Sequence, residues 1–171
     1  MSSIRLATGS DWPSIWRCLR PVFAAGRTYA YARDIDESEA RQVWIEKPAA
    51  TFVGCDDNDR IVATYFLIAN QPGQGAHVAN CGYVVDEAAR GQGWASALCE
   101  HSQTEAIARG FRAMQYNFVA ETNTGAVRLW QRHGFDIVGR LPGAFCHPEA
   151  GDVDALVLYK RLRHSPSEAD E

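Results

Sequence analysis

The sequence predicts an α/β fold, with helices packed on a mixed sheet in an α+β arrangement. Three observations lead to this prediction. β-rich runs and helix-like runs follow one another along nearly the whole chain. Three of the strands are consecutive and form an antiparallel meander. A strand, a helix and a strand over residues 77–121 then require a parallel pair, because a helical connection returns the chain to the same end of the sheet.

The individual elements follow from hydrophobic periodicity and from residues that begin or end them. The segment TGSDWP begins a helix because Ser and Asp cap helices and Pro13 suits the first turn. Aromatic and polar residues at 26–35 show no periodicity and predict a loop. In chain order we expect a strand at 4–7, the TGSDWP helix, a helix at 38–46, strands at 51–55, 61–69 and 77–85, a helix at 94–108, a strand at 113–121, a helix at 124–133, and strands at 135–140 and 154–161. One domain is predicted over 1–163, followed by a polar tail at 164–171 that is too hydrophilic to pack.

Composition limits the classes of function. The chain of 171 residues is 46% hydrophobic and 22% charged, which is typical of a globular protein. A net charge of −4 and a pI near 5.7 disfavour nucleic acids and acidic membranes as partners. Five scattered cysteines without a CxxC pair predict neither disulfides nor a zinc site, and they suit the cytoplasm. No signal peptide or long apolar segment is seen in the sequence, so no membrane span is expected.

A glycine-rich turn follows the third strand of the meander and leads into the 94–108 helix. Gly91 and Gly93 allow the backbone to approach a ligand closely, and helix N-termini expose amides that bind phosphate groups. A dinucleotide fingerprint would need Gly or Ala where Ser96 stands, and no Gly-Lys-Ser/Thr run for a nucleotide triphosphate occurs. A tight turn without a ligand is the alternative.

Two spaced motifs make the chain similar to the GNAT family of N-acetyltransferases. The run RGQGWA at 90–95 matches the family's Arg/Gln-x-x-Gly-x-Gly/Ala loop. Asn123, Ala126, Leu129 and the HGF run at 133–135 resemble its second motif, Asn-x-x-Ala-x-x-Leu-Tyr-x-x-x-Gly-Phe. The resemblance implies the GNAT fold, with about seven strands in a mixed sheet, a splayed parallel pair formed by the strands at 77–85 and 113–121, and four helices. It also implies that subunits can pair as homodimers.

The resemblance further implies acetyl-CoA as co-substrate. Backbone groups of three strand residues would hold its pantetheine arm, and residues near the second motif would contact the same arm. Backbone amides of the glycine loop would bind its pyrophosphate. The implied residues are Tyr83, Val84, Val85, Arg90, Gly91, Gln92, Gly93, Trp94, Ala95, Asn123 and Trp130. Asn123 has a second interpretation as the N-cap of the 124–133 helix.

Catalytic groups are less clearly marked in the sequence. Trp130 stands where the family has a tyrosine that protonates the leaving sulfur, and an indole N–H cannot supply a proton at neutral pH. Glu121, His77 and Tyr83 are candidate bases. Each has an alternative interpretation: Glu121 as a solvated residue at a strand end, His77 as a hydrogen-bond donor in a loop, and Tyr83 as an aromatic residue of the core. Cys81 is interpreted as a buried inert thiol, since direct transfer needs no acyl-enzyme.

Asparagines in apolar strands predict where the acceptor amine binds. Asn80 and Asn117 are costly to bury unless they line a pocket or a wet cleft. Together with Asn123 they are similar to fungal acetyltransferases that act on proline analogues. The alternative is that both amides bridge the splayed strands structurally. On the 26–35 loop, Tyr29, Tyr31 and the arginines Arg27 and Arg33 are expected to form a substrate wall that suits a carboxylate.

The sequence therefore predicts an acetyl-CoA-dependent N-acetyltransferase of a small-molecule amine, with an amino acid or its analogue favoured. Asn80, Asn117 and Glu121 are the candidate catalytic residues. The alternatives are a protein or peptide N-acetyltransferase and a non-catalytic acyl-CoA-binding module. No metal is expected, because His101 and Glu105 at i, i+4 lack a third ligand and are typical of a surface pair.

Overall fold

The computed structural model describes residues 3–162, so the predicted tail at 164–171 lies outside the described residues. The elements follow the predicted order. The strands are β1 (Ser3–Leu6), β2 (Ala50–Cys55), β3 (Ile61–Ala69), β4 (Val78–Val85), β5 (Ala113–Ala120), β6 (Asp136–His147) and β7 (Gly151–Arg161). The helices are α1 (Trp12–Ala25), α2 (Glu37–Arg41), α3 (Trp94–Ala108) and α4 (Thr124–Arg132). The predicted fold class is confirmed.

One seven-stranded sheet has the order β1-β2-β3-β4-β5-β7-β6. Every neighbouring pair is antiparallel except β4 and β5, which are parallel. That parallel pair is joined only where Val78 and Ala79 of β4 face Ala113 and Met114 of β5. Beyond this point the two strands separate, so the sheet contains a V-shaped gap that opens toward their carboxyl ends.

Two hydrophobic cores cover the two faces of the sheet. On one face α1 and the segment after α2 bury Ile15, Leu19 and Trp44 against β2 and β3. On the other face α3 and α4 bury Leu98 and Trp130 against β3, β4 and β5. Side chains of β4 alternate between these cores, as the pleat of a strand requires. Helices on both faces of the sheet therefore border the gap.

Three elements differ clearly from their predicted lengths. The helix expected at 38–46 is an α-helix only through Arg41, and Gln42–Glu46 continue as one π-helical segment. Strands β6 and β7 are longer than the predicted 135–140 and 154–161. The segment after Arg140 contains Pro142 and Gly143 and therefore suggests a loop, but β6 lies at the sheet edge, where Pro need not donate a ladder bond. A register shift between Leu141 and Phe145 accommodates this segment.

None of the helices within residues 3–162 has the length and apolarity needed to cross a bilayer.

Candidate active site

The glycine-rich loop connects β4 to α3 in a conformation that only glycine adopts without strain. Gly91 and Gly93 have φ of +76° and +88°, in the left-handed region, and Gly93 is the N-cap of α3. Nothing lies within 4 Å of a Cβ built on either residue, so backbone conformation, and not crowding, demands glycine. The first amides of α3 have no intrahelical partner and point toward the loop. This end of the helix is suited to an anionic group.

The Trp94 side chain anchors the start of α3 to the sheet. Trp94 is 9% exposed, and a Cβ added to Gly54 of β2 would lie 2.7 Å from its ring. A small cavity of about 260 Å³ lies beside this helix start. Its lining includes Gly91, Gly93, Trp94, Ala95, Ser96 and Arg132. The packing of Trp94 thus fixes the helix start and its free amides relative to the strands.

Strand β4 presents a free backbone edge to the gap. The Asn70 N–H donates to the Val78 carbonyl and the Asp86 N–H to the Val62 carbonyl, both at 2.8 Å, so even-numbered β4 residues bond to β3. Bonding direction alternates along an antiparallel strand, so the N–H and C=O groups of Cys81, Tyr83 and Val85 point toward β5. Since β5 has diverged there, the N–H groups of these residues are available to an extended ligand, whereas the Tyr83 carbonyl accepts from the Tyr29 hydroxyl.

This register separates the three predicted backbone contacts. Tyr83 and Val85 direct their backbone groups into the gap, whereas Val84 directs its own toward Thr64 of β3. Val84 instead contributes its side chain to the cavity wall. Only alternate residues of a strand can serve one edge, so the predicted consecutive trio cannot act as a set.

A bulge in β5 sets the shape of the opposite wall. Asn117 and Phe118 together oppose the single residue Val157 of β7, since Tyr116 pairs with Leu158 and Val119 with Leu156. A bulge of this kind bends the strand and turns side chains to a new direction. The bulge begins three residues beyond Met114, the last β5 residue paired with β4, and both bulged residues line the cavity.

The gap opens into a cavity of about 1260 Å³. It contains most of the residues predicted for cofactor, catalysis and substrate, which the tertiary structure brings together from separate segments. The predicted residues along its wall are Arg27, Tyr29, Tyr31, Asn80, Tyr83, Val84, Val85, Arg90, Ala95, Asn117, Asn123 and Trp130.

Some predicted residues lie outside this wall. Gly91, Gly93 and Trp94 line the smaller cavity at the start of α3, and Glu121, Arg33 and Gln92 make contacts elsewhere. Glu121 accepts from Arg140 at 2.6 Å and from the Asp154 N–H at 3.3 Å, in an ion-pair cluster that joins β5 to β6 and β7. Arg33 turns back and donates from Nε to the Ala24 carbonyl at 2.9 Å. The Gln92 side chain donates to the Ala88 carbonyl at 3.1 Å. We therefore do not include the side chains of Glu121, Arg33 and Gln92 in the proposed chemistry.

Four side-chain amides close the narrow end of the gap. Asn70, which follows β3, accepts with its Oδ1 from Asn80 Nδ2 at 3.2 Å and from Asn117 Nδ2 at 2.6 Å. Gln115 Nε2 in turn donates to Asn117 Oδ1 at 2.9 Å. The predicted structural bridge between β4 and β5 is thus present, with Asn70 as its unpredicted centre.

The network leaves the two cavity asparagines chemically different. The Asn117 oxygen already accepts from Gln115. Asn80 donates through Nδ2 to Asn70, and within residues 3–162 no group donates to its Oδ1. Because the donor side of this amide is held by Asn70, its acceptor oxygen is directed away from Asn70 and is available to a ligand in the cavity.

The aromatic loop closes the cavity from the α1 face. The Tyr29 hydroxyl donates to the Tyr83 carbonyl at 2.9 Å, and its ring stacks on Tyr31 at 5.7 Å between centroids. A Cβ on Gly82 would lie 2.5 Å from the Phe66 ring and 3.1 Å from the Tyr29 hydroxyl, so glycine permits this approach. Tyr29 therefore joins the aromatic loop directly to the β4 edge that faces the gap.

Other candidates from the sequence have ordinary environments. His77 Nδ1 lies 3.0 Å from the Gln74 carbonyl oxygen in a turn before β4, outside the cavity wall. Burial raises the pKa of the Cys81 thiol to about 12, which keeps it protonated and a poor nucleophile. Asn123 makes no side-chain cap bond to α4, so its amide is available to the cavity. Among residues 3–162 no group of three or more potential metal ligands occurs.

The comparison with known families agrees with this geometry. The model of the acetyltransferase (GNAT) family matches residues 12–135. The chain belongs to this family. Residues 12–135 include both helices of the α1 face, the glycine loop, both walls of the gap and α4.

Individual relatives support the same assignment. The chain is 27% identical over 124 residues to the N-acetyltransferase aca1 of Schizosaccharomyces pombe, an alignment that covers 72% of this chain and 58% of that relative. A GCN5-related N-acetyltransferase from Kribbella flavida has a TM-score of 0.90 at 40% identity, over 94% of this chain and 98% of that one. A phosphinothricin acetyltransferase from Sinorhizobium meliloti, solved with AcCoA, has a TM-score of 0.84 at 18% identity over 98% and 94% of the two chains, which shows the fold alone.

Trp130 is a departure of this GNAT chain from the family's second motif, which has tyrosine at this position. Its ring lies 4.9 Å from that of Tyr83 and 5.1 Å from that of Tyr116. The Ser102 hydroxyl donates to the Cys99 carbonyl at 2.8 Å, so it accepts from the Tyr83 hydroxyl 2.7 Å away. The phenol proton of Tyr83 is therefore directed into the core and away from the gap.

Tyr116 is held in the same way. Its hydroxyl lies 2.9 Å from that of Tyr83 and 3.4 Å from Met114 Sδ. Burial raises the pKa of both tyrosines well above the ordinary value. Neither phenol replaces the tyrosine that Trp130 displaces in the GNAT motif.

Sequence reasoning missed Asn70, Tyr116 and the β5 bulge. Asn70 directly follows a strand, precedes Gln71-Pro72 and resembles any turn residue. Tyr116 alternates correctly for a core position, and nothing in the sequence distinguishes it from other buried aromatics. A bulge in which two residues oppose one does not disturb the alternation of apolar and polar residues in this segment, so only the pairing with β7 shows it.

Proposed function

We propose that this chain is an acetyl-CoA-dependent N-acetyltransferase that transfers the acetyl group directly to the amine of a small molecule. The observation that carries the proposal is the free edge of β4 at Cys81, Tyr83 and Val85, which runs directly into the glycine loop at the start of α3. An extended chain bearing amides and ending in a pyrophosphate suits this continuous surface. The backbone amides supply hydrogen bonds at one end, and the helix start supplies an anion site at the other.

The chemistry requires a neutral amine, a stabilised oxyanion and a departing thiolate. Backbone N–H groups of Cys81 and Tyr83 face the gap and can stabilise the oxyanion. Asn80 Oδ1 is the acceptor we assign to the amine N–H, and Asn117 positions Asn80 through their shared contact with Asn70. Asn117 is thus a positioning residue in this proposal.

The leaving group departs without a side-chain acid. An indole carries no acidic proton, and the phenol proton of Tyr83 is donated to Ser102. Because thiols ionise near pH 8.5, a thiolate is a stable enough leaving group. The proton that the amine nitrogen loses as the amide forms passes to water, and water later protonates the thiolate, so the transfer is balanced without a side-chain acid or base. We expect Trp130→Phe to retain kcat within about threefold, because the indole supplies no proton to the leaving sulfur that phenylalanine would lack.

A small acceptor is favoured by the acceptor side of the cavity, where the stacked pair Tyr29 and Tyr31 forms one wall. An amino acid or an analogue is our preferred class. Four of the five cysteines are buried and all are free, which supports assigning the reaction to the cytoplasm.

Release of free CoA thiol from acetyl-CoA, measured across panels of amino acids, polyamines and peptides, tests the proposal. We expect turnover with amino acids or their analogues. Turnover confined to peptides would replace the substrate class, and a thermal shift by acetyl-CoA without thiol release from any amine would favour a non-catalytic binding module. Absence of any thermal shift with acetyl-CoA would contradict the assignment entirely.

A further inference from the structure

Four arginines line the cavity, and three of them are committed to its coenzyme end. Arg17 donates to Asp86 at 2.7 Å and to the Ile61 carbonyl at 2.6 Å, where β4 ends. Arg60 reaches the same carboxylate at 3.6 Å, and Arg90 belongs to the glycine loop. The fourth, Arg27, lies beside the tyrosine wall on the acceptor side.

Arg27 is paired with a carboxylate from a distant part of the chain. Its Nη2 donates to Glu149 Oε1, and this contact joins the α1–α2 loop to the turn between β6 and β7. His147 holds that turn, because its Nδ1 lies 3.2 Å from the Glu149 nitrogen and 3.1 Å from the Ala150 nitrogen. Glu149 does not itself line the cavity. Glu149 therefore supplies a carboxylate of the protein itself to Arg27, the one cavity arginine on the acceptor side.

The pair is easily exchanged. The side chains of Arg27 and Glu149 are 56% and 65% exposed, and ion pairs of this kind contribute little to stability because water and salt screen them. Replacing one carboxylate by another on a guanidinium leaves the charge balance unchanged and preserves its hydrogen bonds. A ligand anion that also gains contacts within the cavity would consequently displace Glu149 at small cost.

We propose that Arg27 selects acceptor amines that carry an anionic group, a carboxylate in the simplest case, and that Glu149 is an internal competitor for this cation. This inference rests on the proposed acetyltransferase function and adds a charge requirement to it. Binding of the acceptor replaces the Glu149 carboxylate on Arg27 and releases the β6–β7 turn from the α1–α2 loop.

Matched substrates and matched variants test this inference. KM is measured for α-, β- and γ-amino acids and for their carboxamides, each as a ratio between variant and wild type so that the intrinsic reactivity of the amine cancels. We expect Arg27→Gln to raise KM about tenfold for the best amino acid and to leave its carboxamide unchanged. We expect Glu149→Gln to lower KM for the amino acid about threefold, since a competitor is lost.

Arg33→Gln is the matched control, because Arg33 lies on the same loop but donates to the Ala24 carbonyl outside the cavity. We expect it to change neither ratio. The double variant Arg27→Gln/Glu149→Gln should behave like Arg27→Gln alone, since Glu149 acts only through Arg27.

Three outcomes would overturn the inference while leaving acetyl transfer intact. Arg27→Gln could impair the amino acid and its carboxamide equally, Arg33→Gln could reproduce the Arg27→Gln effect, or Glu149→Gln could raise KM for amino acids. The wild-type carboxamide reaction separates these results from failure of the proposed function, because it reports acetyl transfer without a charged acceptor.

Discussion

The proposed coenzyme end and the proposed acceptor end of the cavity are constructed in different ways. The coenzyme end is one continuous stretch from the edge of β4 through Gly91 and Gly93 to the first turn of α3, and it acts mainly through backbone groups. The acceptor end is assembled from the α1–α2 loop, the turn after β3, β4 and the β5 bulge, and it acts through side chains. A backbone site tolerates many side chains but few changes of conformation, whereas a side-chain site depends on individual amides and hydroxyls.

The largest effect is expected where backbone conformation is changed. Gly93→Val would force a β-branched residue to φ +88° at the N-cap of α3 and displace the amides of the helix start. We expect KM for acetyl-CoA to rise about 100-fold, with loss of the thermal shift by acetyl-CoA. Gly9→Ala is the control, since Gly9 has open space around it and no left-handed φ. A Gly93→Val protein that binds acetyl-CoA normally would show that side chains, and not this conformation, hold the coenzyme.

A smaller effect that is specific to the acceptor is expected from the amide network. Asn80→Leu removes the free acceptor Oδ1 at nearly constant volume, and we expect kcat/KM for the amine to fall about 30-fold. The thermal shift by acetyl-CoA should be unchanged, because Asn80 faces the acceptor side. Asn117→Leu is the paired variant, and its smaller loss should reflect only repositioning of Asn80 through Asn70. Equal losses for the two variants would remove the distinction between an amine acceptor and a positioning residue.

The smallest effect is expected on the pH dependence of stability, and it depends on the protonation of His101. His101 of α3 lies 2.8 Å from the Tyr65 hydroxyl, and burial lowers the pKa of its imidazole. The native state thus favours neutral His101, so its contribution is present above the unfolded-state pKa near 6.5 and is lost as pH falls through the native pKa.

Urea unfolding of wild type and His101→Gln between pH 7.5 and 5 measures this contribution. We expect the difference in unfolding free energy between the two proteins to shrink as the pH falls. Asp11 does not interfere, because its pair with Arg5 lowers the pKa of that carboxyl to about 2, below this window. A difference that is constant with pH would mean that His101 contributes by packing alone.

The fold and the glycine loop could be predicted from the sequence because each depends on local patterns. Strand and helix periodicity gave the element order, and the bounds of α3 agree with the predicted 94–108. The glycine loop is recognisable because a left-handed φ needs glycine at fixed spacing, whatever surrounds it. Even here the register was needed to show that Val84 directs its backbone to β3 and not into the gap.

The acceptor end was only partly predictable. Asn80 and Asn117 stood out because amides are rare in apolar strands, and both line the cavity. Glu121 and Arg33 were equally plausible by residue type, yet Glu121 pairs with Arg140 and Arg33 turns toward α1. Charged side chains are long and pair with whatever counter-charge the fold brings near, so their direction depends on contacts far away in sequence.

The sequence by itself determined the order of elements, the parallel pair, the glycine loop and the identity of the asparagines, since these follow from local periodicity and backbone preference. Only the tertiary structure decided that Asn70 links Asn80 to Asn117, that Tyr29 reaches the Tyr83 carbonyl, and that Arg27 meets Glu149. Each of these contacts joins segments that no local pattern relates. Their geometry arises when strand register, one bulge and two helical faces are packed together.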